Sequence, residues 1–300
     1  MMRIMLDNVQ LQSRSGPNGF GLKIATALSM RGHTVVEKHE SPDVQLSFIQ
    51  ATQRLEGLPI VQRLDGIWFN SAQDWQLLNR PIRDTYKRVE GVIVQSEFDR
   101  RLVENYFGAR MNMHVIHNGT DVEAIQSCDA LHVPELHDVE KVWTCASAWR
   151  PHKRLGENIR YFMEHSGPKD VLIIAGKDPD VRIADTRVFY AGDLERDALI
   201  SLLRATDTFI HCAYIDHCPN IVVDARAAGC HIICSSTGGT EEIAGLDSTI
   251  ILEDEWDFKP CELYNPPKMD FSLVRQGRFD TNIDIGYVAE RYEYVLQSVL

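Results

Sequence analysis

The feature that most constrains the fold is a regular alternation of short apolar segments with longer amphipathic ones along the whole chain. Short apolar runs between turn residues predict buried strands, and apolar residues at three- and four-residue spacing predict helices. Strands that alternate with helices form parallel sheets, because each parallel connection needs a crossover of helix length. The sequence therefore predicts an α/β protein built from doubly wound parallel sheets.

The alternation runs through the chain twice, on either side of a polar stretch at 124–140 that contains Pro134. The first series has expected strands at 3–6, 34–36, 44–49, 59–64, 91–95 and 114–117. The second has expected strands at 141–146, 171–175, 187–190, 208–212, 231–235 and 249–252. We expect an N-terminal Rossmann-like domain over 1–125, a C-terminal one over 126–280, and an amphipathic helix over 281–300 that packs back toward the first.

Local signals place several helices. Ser96 can cap a helix over 97–107, with Asp99 three residues on and Gly108 as its stop. A glycine-rich loop at 16–21 is expected between the first strand and the first helix. In the second series, helices are expected near 156–165, 195–205, 219–228 and 240–244.

The distribution of charge excludes some partners. The chain of 300 residues carries a formal charge of −12, and residues 1–125 hold 14 basic and 14 acidic side chains. The whole acidic excess therefore lies after residue 125, where 17 basic residues face 29 acidic ones. An acidic chain lacks the overall positive potential that attracts nucleic acid, so no nucleic-acid partner is expected.

The cysteines and the hydropathy pattern bear on location. The seven cysteines include no CxxC pair, which is typical of reduced, intracellular thiols. The sequence shows neither a signal-peptide pattern nor a run of 18 apolar residues. We expect a cytoplasmic protein whose contact with a membrane is peripheral at most.

Two carboxylates near one predicted helix start form the strongest local signal. Seven residues separate Asp216 from Asp224, and Cys218, Pro219 and Asn220 are among them. A helix start at the carboxyl edge of a sheet offers free amides to phosphate, and flanking carboxylates accept bonds from sugar hydroxyls. The alternative is that Asp216 is a loop acid and Asp224 an acid favoured by the helix dipole.

A second signal is the basic turn after the strand at 141–146, which contains Arg150, His152, Lys153 and Arg154. Fixed cations at the end of a strand can bind a diphosphate and stabilise its charge as it departs. A solvated basic turn is the alternative.

A third signal follows the strand at 231–235. Gly238 and Gly239 allow backbone amides to approach an anion closely, Thr240 can cap the next helix, and Glu242 projects from its start. An ordinary loop between a strand and a helix would show the same residues.

Four motifs, taken in order, resemble those of the GT-B, family-4-type (GT4-like) retaining glycosyltransferases. They are NGxD within 115–121, the Arg and Lys turn at 150–153, the acid-x7-acid pair at 216 and 224, and GGxxE at 238–242. The resemblance covers essentially the entire chain. It implies a GT-B fold, with two facing Rossmann-like domains, a cleft between them and a C-terminal crossover helix.

The resemblance also implies roles for residues of the second domain, which would bind the donor. Arg150 and Lys153 would hold the diphosphate of a nucleotide-sugar, Asp216 the donor sugar and Asp224 the ribose hydroxyls. Further residues implied to line the same site are Cys218, Pro219, Asn220, Gly238, Gly239, Thr240 and Glu242. The family usually has Glu at both acid positions, and Arg150 is unusually close to Lys153.

In the N-terminal domain, which would bind the acceptor, two features are similar to the family. The segment 16–21, with Gly19 inside it, resembles the glycine loop that faces the donor. Its GxxGxG order differs from the dinucleotide fingerprint, which disfavours a dehydrogenase. Asp65 stands where many relatives have a catalytic-site histidine, so we expect it to contact the acceptor or the transferring sugar; a turn formed by Asp65 and Gly66 is the alternative.

The expected function is metal-independent, retaining transfer of a sugar from a UDP- or GDP-type donor to a glycan, lipid-linked or other hydroxyl acceptor. No metal or other cofactor is expected, since the histidines form no HxxxH or HxH pair. Arg80, Arg83 and Lys87 share a helical face that could meet an anionic acceptor or phospholipid, or simply be solvated. A noncatalytic GT-B binding module, or a GT-B epimerase or phosphorylase, remains an alternative.

Overall fold

The computed structural model describes residues 1–13, 16–132 and 138–300. It divides into two compact units, of which the first comprises Met1–Asp121, Phe258–Cys261 and Asn282–Leu300. The second comprises Val122–Asp257 and Glu262–Thr281. Residues 133–137 of the predicted junction, Pro134 included, lie outside the described residues.

The first unit contains a six-stranded parallel sheet in the order β2-β1-β3-β4-β5-β6. Its strands are β1 (Arg3–Asp7), β2 (Thr34–Val36), β3 (Val44–Phe48), β4 (Ile60–Leu64), β5 (Gly91–Val94) and β6 (Met113–Val115). Every residue of β3, β4 and β5 is buried. Burial on both faces is what parallel strands between helices require. In β3 and β4 it includes the polar residues Gln45, Ser47, Gln62 and Arg63.

Four helices accompany this sheet: α1 (Gly16–Met30), α2 (Trp75–Tyr86), α3 (Glu97–Phe107) and α9 (Ile285–Gln297). Helix α3 has the predicted bounds, and the Ser96 side chain accepts a bond from the Asp99 amide. Helix α9 lies in one core with α1, where Tyr292 packs 5.9 Å from Phe20 between ring centroids. The first unit is therefore assembled from segments that are distant in sequence.

The expected local structure is wrong in the glycine-rich segment. Helix α1 begins at Gly16, so residues 16–21 form its first turns and not a loop. A Cβ at Gly21 would lie 2.4 Å from Cγ2 of Val9, whereas one at Gly19 would meet nothing within 4 Å. Gly21 thus permits close packing of α1, and glycine at position 19 is not required by space.

The second unit contains a seven-stranded sheet in the order β13-β12-β11-β10-β7-β8-β9, in which only the β12–β13 pair is antiparallel among the described strands. The strands are β7 (Val142–Ala146), β8 (Val171–Ala175), β9 (Val188–Gly192), β10 (Thr208–His211), β11 (His231–Ser235), β12 (Thr249–Ile251) and β13 (Val274–Gln276). The helices are α4 (Val122–Ser127), α5 (Leu155–His165), α6 (Arg196–Arg204), α7 (Asn220–Ala228) and α8 (Glu241–Ala244). The α/β prediction of two parallel doubly wound sheets is confirmed.

In the described part of the chain, no helix is both long enough and apolar enough to cross a bilayer. The seven cysteines, all of which are described, form no disulfide.

Candidate functional site

The loops that follow β10 and β11 are joined through their backbones at the carboxyl edge of the second sheet. Asp216 and Gly238 form a parallel bridge, and the amide of Gly239 donates to the carbonyl of Asp216 over 2.8 Å. Gly238 has φ +85°, and a Cβ there would lie 2.3 Å from that carbonyl oxygen. Only glycine fits at this position, so the GG of the third motif holds the acidic loop in place.

A three-residue cluster surrounds the Asp216 carboxylate. A short 3-10 helix, Pro151–Lys153, follows β7. The ammonium of its last residue, Lys153, pairs with Oδ2 of Asp216. His211, the last residue of β10, places Nε2 at 2.8 Å from the same oxygen. Burial alone would raise the pKa of Asp216, but Lys153 and His211 together lower it well below its usual range. Asp216 is therefore ionised at neutral pH and can only accept hydrogen bonds.

The protonation of His211 follows from that of Asp216. Burial lowers the pKa of His211, although its bond to Asp216 opposes the shift, so the imidazole is neutral at pH 7. Because the carboxylate can only accept, the His211 proton must be on Nε2. The sequence motifs did not identify His211; its one signal was a titratable residue at the end of an otherwise apolar strand.

The four side chains of the basic turn have different environments. Arg150 is exposed. Arg154 is buried, pairs with Glu253 at 2.9 Å and donates to the Pro267 carbonyl at 2.8 Å. Its guanidinium also lies 4.8 Å from the Tyr214 ring centroid. Arg154 thus stabilises the second unit and is not one of the cations available to a ligand.

His152 carries no charge at neutral pH. Burial, and then the neighbouring Lys153, lower the pKa of His152 to about 3. The ring lies 5.4 Å from Tyr264 between centroids, and its buried Nδ1 has no hydrogen-bond partner among the described residues. The solvent-accessible cations of this turn are therefore Arg150 and Lys153, the two that the sequence proposed.

The second acid of the pair has a different environment. Pro219 is the N-cap residue of α7, and Asp224 lies within that helix, 6% exposed. The carboxylate of Asp224 is 3.6 Å from Nη1 of Arg196, at the start of α6. Cys218 is buried, and Asn220 begins α7. The structure brings Lys153 to Asp216 and Arg196 to Asp224, so each acid has its own cation.

The third motif forms a buried helix start. Glu241 and Glu242 open α8 and are 6% and 7% exposed, and Glu241 pairs with Arg275 at 2.6 Å. Thr240 precedes α8, but its side chain makes no capping hydrogen bond, contrary to the sequence prediction. Its backbone is already helical, at φ −62° and ψ −39°, whereas a side-chain cap needs extended backbone.

In the first unit, Asp65 follows β4 and pairs with the buried Arg63. Arg63 also contacts Oδ1 of Asn118 at 2.7 Å and the Tyr292 hydroxyl at 2.9 Å. Asn118 belongs to the NGxD motif, so this motif and Asp65 meet at one buried guanidinium. The predicted role of Asp65 toward an acceptor stays a prediction, because its one described ionic contact is with Arg63.

Metal ligands do not cluster in the described ranges: no three His, Cys, Asp or Glu side chains within 1–13, 16–132 and 138–300 are placed to hold an ion.

Comparison with solved structures defines the fold class. The Anabaena Alr3699/HepE complex with UDP-glucose shares 15% identity and a TM-score of 0.69, over 99% of this chain and 100% of that one. AviGT4, a glycosyltransferase involved in avilamycin A biosynthesis, shares 13% identity and a TM-score of 0.64, over 99% and 97%. Sucrose-phosphate synthase from Thermosynechococcus elongatus shares 12% identity and a TM-score of 0.62, over 100% and 95%. The chain has the GT-B glycosyltransferase fold, as the sequence resemblance predicted.

A family model narrows the class for part of the chain. Residues 140–257 match the family described as "Glycosyl transferases group 1". This segment contains His211 and both acid–cation pairs of the site, Lys153 with Asp216 and Arg196 with Asp224. No curated protein sequence matches the chain significantly.

Proposed function

We propose that the protein is a retaining, metal-independent glycosyltransferase of the family-4 type, which transfers a sugar from a nucleotide diphosphate to a hydroxyl acceptor. The observation that carries this proposal is the cluster of Lys153, Asp216 and His211 at the carboxyl edge of the second sheet. It lies inside the segment that matches the glycosyltransferase family. Ligands of open α/β sheets bind at this edge.

The departing nucleoside diphosphate needs positive charge, which Lys153 and the exposed Arg150 supply. Backbone amides add to it at the start of α7 and at Gly238 and Gly239. The Lys153 ammonium is held by Asp216 in the described state and has three donor hydrogens. It can therefore donate to a phosphate while it keeps its contact with the carboxylate.

The two acids have separate roles in this proposal. Asp216 accepts a hydrogen bond from a hydroxyl of the donor sugar, and Asp224 accepts from the ribose. Their fixed neighbours support the division, since Lys153 and His211 orient Asp216 whereas Arg196 faces Asp224. Cys218, Pro219 and Asn220 lie between the two acids in sequence and line the nucleotide, while Thr240 and Glu242 belong to the neighbouring buried helix start.

Retention is proposed to proceed by attack on the same face of the sugar, as the acceptor enters while the diphosphate leaves. Catalysis is then mainly electrostatic and positional. Asp65 is the proposed contact of the first unit with the acceptor or the transferring sugar. Gly19 is also proposed to bind the donor, although it lies in helix α1 and not in a loop.

The donor is proposed to be a UDP-sugar, which is what the HepE complexes contain. A GDP-sugar is the second candidate. The acceptor is proposed to be a glycan or a lipid-linked saccharide in the cytoplasm.

The deciding experiment is a panel of UDP- and GDP-sugars with glycan acceptors, in which nucleotide release and glycosylated product are both measured. Transfer that persists in excess EDTA and gives a product anomer matching the donor supports glycosyl transfer, metal independence and retention. If a donor raises the melting temperature but no nucleotide is released, the protein is a noncatalytic binding module and not an enzyme. A free epimer, or a requirement for phosphate, would instead indicate an epimerase or a phosphorylase.

A further inference from the structure

The first unit contains a cavity that the proposed donor chemistry does not use. It has a volume of about 530 Å³ and lies between α2, the end of α3 and the segment Phe258–Cys261. This volume is in the range of small-molecule sites. The cations that line it are Arg80, Arg83 and Lys259, and three of its aromatic side chains are Trp75, Tyr106 and Phe258.

The aromatic walls are held by contacts within the unit. The rings of Trp75 and Tyr106 meet edge to face, 5.3 Å apart between centroids. The Asn105 side chain donates to the carbonyl of Phe258 over 3.3 Å, and Arg101 lies 4.8 Å from the Phe258 ring centroid. These contacts hold the aromatic walls in place, and a preorganised wall lowers the entropic cost of binding.

The charge of the cavity stands out against that of the protein. None of its lining residues is acidic, although the chain carries −12 overall. Arg80 and Arg83 are exposed, and neither forms an ion pair with any described residue, whereas Arg100 on α3 pairs with Glu97 at 2.7 Å. Unneutralised cations one helical turn apart repel each other, so an anion between them would remove that cost.

We propose that this cavity binds a phosphate ester on a carbohydrate or glycerol scaffold. The Arg80 and Arg83 guanidinium groups match phosphate oxygens with paired donors. The aromatic rings give the carbon scaffold an apolar surface to pack on. Lys87, which shares the predicted basic face, does not line the cavity.

Two sources can present this chemistry, a soluble sugar phosphate and a phospholipid headgroup. Leu77 and Leu78 on α2 are 50% and 37% exposed, so a lipid surface is included in the test. The site is independent of the donor cluster in the second unit. A direct binding measurement can therefore distinguish failure of this proposal from failure of the proposed glycosyl transfer.

The test measures binding of glucose 6-phosphate by calorimetry, and co-sedimentation with phosphatidylcholine vesicles with and without phosphatidylglycerol. The variant is Arg80→Gln with Arg83→Gln, and the control is Arg88→Gln, another exposed arginine just after α2 that does not line the cavity. We expect the double variant to weaken binding of one probe at least tenfold, and the control to change it less than twofold.

Binding of the sugar phosphate, but not of glucose, assigns a soluble ligand, and binding only to the anionic vesicles assigns a headgroup; either supports the proposal. It is overturned if neither probe binds, or if the double variant binds as the wild type does. The melting temperature of each variant shows that it is folded.

Discussion

Replacing Lys153 with methionine tests the proposed chemistry most directly. Methionine keeps much of the length of the lysine side chain and removes only its charge and donors. In the structure, the Lys153 side chain is 19% exposed and supplies one of the two side-chain contacts to Oδ2 of Asp216. His211 still donates to the Asp216 carboxylate in this variant, so we expect the loop to keep its position. The variant then loses chiefly the stabilisation of the leaving diphosphate.

The size of the effect follows from the cations that remain. Removing one donor aimed at developing negative charge costs about 100- to 1000-fold in kcat. Because Arg150 and the amides at Gly238 and Gly239 stay in place, the lower end applies. We expect Lys153→Met to lower kcat by about 100-fold, which corresponds to about 2.7 kcal/mol.

The assay is nucleotide release under saturating donor and acceptor, with circular dichroism to confirm folding. Lys177→Met is the matched control, because Lys177 also follows a strand of the second sheet but is 62% exposed and pairs with Asp193 at 3.2 Å. Its kcat should stay within twofold of the wild-type value. A folded Lys153→Met enzyme whose kcat is within threefold of wild type would refute the assignment of Lys153 to the leaving group.

Three further predictions concern the same cluster and its loops. His211→Phe removes the Nε2 donor from Asp216. A hydrogen bond to a charged group contributes about 1.5 kcal/mol or more, so kcat should fall at least about tenfold. His211→Gln, which keeps a donor, should recover part of this loss, and equal rates for both variants would contradict a positioning role. Gly238→Ala should lower the free energy of unfolding in urea by more than about 2 kcal/mol, since its Cβ would lie 2.3 Å from the Asp216 carbonyl, whereas Gly229→Ala, at φ +94° with nothing within 4 Å, should cost only about 1 kcal/mol of backbone strain. The pKa of His152 is lowered to about 3, so below pH of about 6.5 the unfolded chain takes up a proton that the folded protein refuses, and stability falls as the pH falls. His152→Phe should therefore flatten the loss of unfolding free energy between pH 6 and 4 by up to about 1.4 kcal/mol per pH unit; an unchanged slope would show that His152 is protonated in the folded protein.

Local signals predicted the elements well because they act over a few residues. Helix α3 begins and ends where Ser96 and Gly108 indicated, and the strands expected at 44–49, 59–64 and 91–95 are the buried strands β3, β4 and β5. The short antiparallel strand β13 was not predicted, because its residues are mostly exposed and it is defined only by pairing with β12. Pairing between distant segments leaves little trace in a short window of sequence.

The distinction between local and long-range signals also explains which site residues the sequence could predict. The sequence proposed Lys153 and Asp216, and the structure joins them. Residue chemistry alone did not separate Arg154 from Arg150 and Lys153, and only the family resemblance did, because the partner that buries Arg154, Glu253, lies 99 positions away. The glycine-rich segment was misjudged for a related reason, because Gly21 is needed where α1 packs against Val9 and not for a turn.

The composition of the first unit has a consequence for how the protein folds during synthesis. The core around β1 and α1 includes Val288, Tyr292 and Leu296 of α9. All of Val122–Asp257 leaves the ribosome before those residues do. Domains usually fold in the order of synthesis, but here the second unit can finish first, while the first unit waits for the residues of α9. The strands of the first unit are thus exposed until α9 has been made, which is when we expect this protein to depend on chaperones.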